Sequence, residues 1–207
     1  MTLEIIEFPE AVTEANNMVL PDPDQITYYV LEKERIIYLD CDIEYDVMAV
    51  QRMIVRWNLE DRGLGKDKRE PIKMYVHSSG GMVFYMWPLI DTIEASVTPV
   101  FTINLFMAGS AAALIYLAGH KRFMMKNSKM IIHEGQNEIS GDAVKVLDAT
   151  ESYKKQLKKM KEFIAHHTNI SKSLIMKKRN NDWELDAQYC MDNGACDKIV
   201  ETIDDIL

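Results

Sequence analysis

Cysteine, basic charge and long apolar runs are all scarce in this 207-residue chain, and each scarcity removes a class of protein. The three cysteines, Cys41, Cys190 and Cys196, have no CxxC spacing. An odd, scattered set supports neither a disulfide framework nor a thiolate metal site, and it fits a reducing cytosol. Lys and Arg number 24 against 32 Asp and Glu, a formal net charge of −8, so no nucleic-acid partner is expected. The apolar run from Leu105 to Gly119 is shorter than the ~20 residues of a membrane span and reads as a buried core helix. The first ten residues have neither the basic start nor the apolar stretch of a secretory signal. The expected location is the cytoplasm, without a membrane partner. No phosphate loop is present, and no cofactor or metal is expected.

What remains is an ordinary globular composition, 47% hydrophobic and 27% charged, enough for one sizeable core. Residues 1–25 hold Pro9, Pro21 and Pro23 with little periodicity and read as a mobile arm or axial segment before a domain over 26–207. Arg35–Leu39 reads as a strand. Val47, Val50, Met53, Ile54 and Trp57 fall at helical spacing, and charged residues 60–70 form a loop. Ile72, Met74 and Val76 alternate with polar neighbours as in a strand. A helix follows, with Met86, Leu89, Ile90 and Ile93 on one face, and Val97–Ile103 is β-like. Arg122–Met125 and Lys129–His133 read as two strands around an Asn127-Ser128 turn. Val146, Tyr153, Leu157, Met160 and Ile164 trace a long amphipathic helix over about 143–167. Its lysines 154, 155, 158, 159 and 161 form a solvated face. Asp186 is placed to cap a short helix that ends before Gly194. Strands alternating with helices predict an α/β fold with a largely parallel sheet.

Four features converge on chemistry. Ser110 stands among small residues at the mouth of the apolar run, where a helix cap and an accessible nucleophile are both open readings. Its context is not the GxSxG pattern. Gly80-Gly81 lies between a strand and a helix, where it makes a tight turn or offers amides to an oxyanion. His133 ends an apolar strand and can act as a general base; His77 is its closest rival, with His120, His166 and His167 weaker. Asp182, in Asn-Asn-Asp-Trp, is a loop acid or the orienter of an imidazole.

In this order the residues resemble the Clp protease proteolytic subunit (ClpP) family from about Val30 to the C-terminus. His77-Ser-Ser-Gly-Gly-Met-Val83 is similar to its Asn-Ser-Pro-Gly-Gly-x-Val segment, Met107-Ala-Gly-Ser-Ala-Ala-Ala113 to its nucleophile segment, and Lys126-Asn-Ser-Lys-Met-Ile-Ile-His133 to its Pro-Asn-Ser-x-x-Met-Ile-His block. The resemblance implies a crotonase-like α/β spiral of ββα units with a protruding handle helix at about 143–167. It implies a serine endopeptidase acting on polypeptides, with Ser110 as nucleophile, His133 as base and Asp182 as orienter. The amides of Gly81 and Ala111 would form the oxyanion hole, with Gly80 shaping the turn. It further implies a homo-oligomer, a heptameric ring or double ring, fed by an AAA+ unfoldase that alone uses ATP. The chain departs from the family at Ser79 (proline in the family), at Ala111 (methionine) and in Glu134-Gly-Gln-Asn-Glu-Ile139, which replaces a Gln-Pro-Leu-Gly-Gly-like stretch. Asn181 and Trp183 flank Asp182 where arginines are common. These departures keep two other readings open, a catalytically weak ring-forming scaffold and a crotonase-type acyl-CoA enzyme.

Overall fold

The computed structural model describes residues 22–135, 138–178 and 182–207, so most of the expected arm lies outside the described residues. Pro23, assigned to that arm from sequence, opens helix α1 (Pro23–Lys33). Asp22 caps it by accepting the Asp24 amide, and proline at the first helical position forfeits no hydrogen bond. α1 belongs to a unit ending at Glu34, and a second unit runs from Arg35 to Leu207.

The second unit alternates β1 (Ile36–Leu39), α2 (Val47–Glu60), β2 (Ile72–Ser78), α3 (Val83–Ala95), β3 (Val100–Gly109), α4 (Ala111–Leu117) and β4 (Lys121–Met125). Then come β5 (Lys129–Ile132), α5 (Ala143–His167), α6 (Lys172–Lys178), β6 (Trp183–Asp186), α7 (Ala187–Asp192) and β7 (Lys198–Val200). The strands form one seven-stranded sheet in which β1-β2-β3-β4-β7 run parallel in that order. Helices make the crossovers that parallel neighbours require. This is the mostly parallel α/β architecture expected of the spiral fold. The apolar faces of α2 (Val47, Val50, Ile54, Trp57) and α3 (Met86, Leu89, Ile90, Ile93) are buried, and α4 is buried on every side.

One local expectation needs correction. Leu105–Gly119 is not one helix: residues to Gly109 finish β3, and the helix occupies only 111–117. A run that is apolar on all sides carries no period to separate a buried strand from a buried helix. β4 and β5 are the two strands expected around the turn, and they do not pair with each other. Both lie parallel to β3, β4 along Phe101–Asn104 and β5 along Met107–Gly109. At the change of partner, fully buried Asn104 donates its side-chain amide to the Lys129 carbonyl at 2.9 Å. The side chain thus bonds across the gap where the backbone ladder changes strands.

α5 spans the predicted range, but only Met160 and Ile164 on it are buried. Its first turns leave Val144 and Leu147 about two-thirds exposed.

One buried ion pair ties the start of the sheet to the end of α2. Arg35 donates to both carboxylate oxygens of Asp61 at 2.7 Å, and Thr98 donates to Asp61 at 2.8 Å. The guanidinium holds the Asp61 carboxyl below the usual carboxylate range, against the opposing effect of burial. A depressed folded-state pKa gives stabilisation that is full above the unfolded value, near ~3.9, and is lost as pH falls through the folded value. Asp61→Asn should therefore lose about 3 kcal/mol at pH 7, because it strands the guanidinium. It should also flatten the acid limb of stability below about pH 4. Urea unfolding at pH 7 and at pH 3, at fixed protein concentration, measures both.

Candidate active site

β3 runs into α4 through a single residue, Ser110, whose backbone has φ 51° and ψ −120°. Among the described residues only Ser110 and Arg35 combine a side chain with positive φ. Such a conformation costs on the order of 1–3 kcal/mol and persists only where the surroundings enforce it. They do so here. The Ser110 amide donates to the Ile131 carbonyl of β5 at 2.8 Å, and Ala108, Ala111 and Ala112 are packed with at most 1% exposure. The result is a sharp strand-to-helix elbow, reached without the GxSxG pattern. The Ser110 hydroxyl makes no capping hydrogen bond, so the helix-cap reading does not describe it.

The glycine turn after β2 touches this elbow backbone to backbone. A Cβ added to Gly80 (φ 110°) would lie 2.7 Å from both the Gly109 oxygen and the Ser110 Cβ. One added to Gly109 would lie 2.6 Å from the Ser79 oxygen. Gly81 (φ 151°) is bridged to Ile43, which donates to Gly80 O at 2.8 Å and accepts from Met82 N at 2.7 Å. That pattern turns the Gly81 amide away from Ile43. Among the described residues neither it nor the Ala111 amide has a hydrogen-bond partner. Ser79 does not leave the turn slack: its hydroxyl donates to Asp42 at 3.1 Å, which a proline could not do. Buried Ser78 donates to Cys41 O at 2.6 Å and accepts from Gly80 N at 3.2 Å.

His133 immediately follows β5, the strand beside the elbow. β5 pairs antiparallel with β6 in the register Ile132↔Trp183, so the next pair outward is His133 with Asp182. Directly opposed residues keep their side chains in reach, and His133 Nδ1 lies 3.8 Å from Asp182 Oδ1. That is too long for a hydrogen bond, and the Asp182 side chain is 77% exposed. The topology therefore gathers Ser110, His133 and Asp182 along the ends of three neighbouring strands. It sets His133 opposite Asp182, while no hydrogen bond links Ser110 to His133 among the described residues. The rival histidines are engaged elsewhere. His77 packs edge-on against Phe106, and His167 pairs with Glu94 at 3.1 Å. His120 accepts the Val100 amide at the opposite end of β3, and burial lowers its pKa.

Beside His133 opens a small cleft of about 20 Å³, lined by Ile132, Leu157, Met160, Ile164, Ile175 and Trp183 together with Glu134, Lys161 and Lys178. Burial pushes the Cys190 thiol up to about 12 and also raises those of Cys196 and Cys41. No cluster of three metal-ligating side chains occurs among the described residues, and no helix there is long and apolar enough to cross a membrane. Asn104 and Ser78 escaped the sequence reading, and Ser79 entered it only as a departure from the family's proline. The only signals were an amide inside an apolar strand and hydroxyls before the glycines, and neither type points to one partner.

The family model for Clp protease matches residues 24–203. The chain is 32% identical over 134 residues to the ATP-dependent Clp protease proteolytic subunit 2 of Treponema pallidum, covering 64% of this chain and 67% of that protein. It is 27% identical over 176 residues to the ATP-dependent Clp protease proteolytic subunit of Dehalococcoides mccartyi, covering 84% and 86% of the two chains.

The contact between turn and elbow gives a direct test. Gly80→Ala meets backbone as well as positive-φ strain and should cost about 2–3 kcal/mol, a fall in Tm of roughly 4–12 °C. Gly63→Ala, at φ 94° with nothing within 4 Å of its new Cβ, carries the strain alone and should cost about 1 kcal/mol. Paired melting curves compare the two.

Proposed function

The chain belongs to the Clp protease family, and from that premise we propose that it is a serine endopeptidase whose nucleophile is Ser110. The observation that carries this reading is the enforced elbow at Ser110. It holds a hydroxyl free of capping bonds beside two unpartnered amides. Nδ1 of His133 faces Asp182, so Nε2 is the nitrogen free to serve as base. In the proposed reaction Nε2 takes the Ser110 proton as Oγ attacks a peptide carbonyl. The amides of Gly81 and Ala111 hold the tetrahedral oxyanion. Collapse passes the proton to the leaving amine. Water, deprotonated by His133, then releases the acyl group. Asp182 orients the imidazole from an exposed position.

The substrate class is unfolded polypeptide or short peptide. Assembly into a homo-oligomeric ring or double ring is supported by the exposed apolar residues on the first turns of α5, which a neighbouring copy would cover. Delivery by an AAA+ unfoldase and a cytoplasmic location complete the reading, on the strength of the family. A second reading, a ring-forming scaffold with little activity, is favoured by one observation, the 3.8 Å separation of His133 and Asp182.

Hydrolysis of short peptides decides between them. Ser110→Ala and His133→Ala should each lower kcat by about 10⁴–10⁶. Asp182→Asn should cost less, because the carboxylate is exposed. A Ser110→Ala variant that cleaves as fast as the wild type removes Ser110 from the mechanism.

A further inference from the structure

If His133 is the base, something must fix its ring. Asp182 lies beyond hydrogen-bond distance, and among the described residues the imidazole makes no hydrogen bond. Its backbone is no better held. The β5–β3 ladder ends at Ile131 and the β5–β6 ladder at Ile132, so His133 is the first residue past both. The next fixed point in the chain is Glu134, and α5 holds it twice. Tyr153 donates its hydroxyl to the Glu134 backbone oxygen at 3.1 Å, and Lys161 Nζ lies 2.5 Å from the Glu134 carboxylate. Lys161 and Glu134 are only 19% and 26% exposed, so solvent screens this pair less than the surface pairs of the same helix.

Tyr153, Leu157, Met160, Lys161 and Ile164 share one face of α5 at helical spacing. Met160 and Ile164 are the buried residues that anchor that face. His133 is thus suspended between the last rung of the ladder and a clamp on a helix that is itself anchored. Glu134 is also where the chain leaves the family's Gln-Pro pattern, so the charged clamp arises from this chain's own residues.

We propose that Lys161 and Glu134 are positioning residues for His133, their ion pair fixing the segment that aims the imidazole at Ser110. The proposal rests on the serine endopeptidase reading for its catalytic consequence, but not for its structural content. Lys161→Ala should free the segment, lowering kcat for peptide hydrolysis by about 10- to 100-fold, as displacement of a reacting group by ~1 Å does. Lys161 and Glu134 also line the cleft beside His133, so kcat and the ring itself, rather than KM, report the positioning. Glu134→Lys should do the same. The charge-swapped pair, Glu134→Lys with Lys161→Glu, should recover most of the loss, and Lys161→Arg nearly all.

The readout independent of turnover is the ring itself. With histidines labelled at ¹³Cε1, the His133 resonance, assigned through His133→Gln, should be single in the full-length protein. It should shift or broaden in Lys161→Ala and return in the swap and in Lys161→Arg. A Lys161→Ala variant that fails to fold leaves the swap and Lys161→Arg to decide. An unchanged His133 resonance in Lys161→Ala, or a swap no closer to wild type than Glu134→Lys alone, overturns the proposal. If the wild type hydrolyses nothing while the resonances behave as described, the positioning stands and the hydrolase reading falls.

Discussion

The arrangement depends on one contact, where the glycine turn after β2 lies flat against the elbow at Ser110. Side chains are excluded from both sides of it. Gly80 is confronted by the Gly109 oxygen and the Ser110 Cβ, and Gly109 by the Ser79 oxygen. Backbone against backbone, without intervening Cβ atoms, brings the amides of Gly81 and Ala111 into one neighbourhood. It also leaves Ser110 nowhere to relax its positive φ. Buried alanines on the other side of the elbow close the trap. The strain at Ser110 is sustained by packing over the whole start of α4, which is why that helix is buried on every side.

A second constraint is the change of partner along β3. By pairing first with β4 and then with β5, β3 brings the end of β5 alongside the elbow. Asn104 supports the exchange through its bond to Lys129. β6 then adds antiparallel to β5, and because strand register is an integer, Asp182 has one place to be, across from His133. Sheet register, more than any bond between the three side chains, assembles the site. It fixes backbones to within a residue and leaves side-chain distances to local packing. A 3.8 Å approach between His133 and an exposed Asp182 is consistent with that division.

Periodic and capped elements were legible in the sequence. The four apolar residues on one face of α3, the span of α5 and the Asp186 cap, which accepts the Tyr189 amide, are stated by spacing or by residue type alone. The strand within 105–109 was not, because uniform hydrophobicity hides its period, and neither was the partner of β5, because pairing is a long-range choice. The site divides similarly. Residue types and the glycine pair nominated Ser110, His133, Asp182, Gly80 and Gly81, but nothing local places Asp182 opposite His133. Ser79 is instructive. Where the family has a ring to stiffen the turn, this chain has a hydroxyl bonded to Asp42, and the substitute is visible only once the two segments meet.

The central claim is that the elbow presents Ser110 as a nucleophile to a base at His133. The most direct measurement is reaction of the folded protein with a fluorophosphonate, the adduct located by peptide mass spectrometry. The account predicts a single adduct on Ser110, formed far more slowly when His133 is replaced by alanine. A folded protein that takes up no label, or takes it up at another residue with Ser110 free, would contradict it.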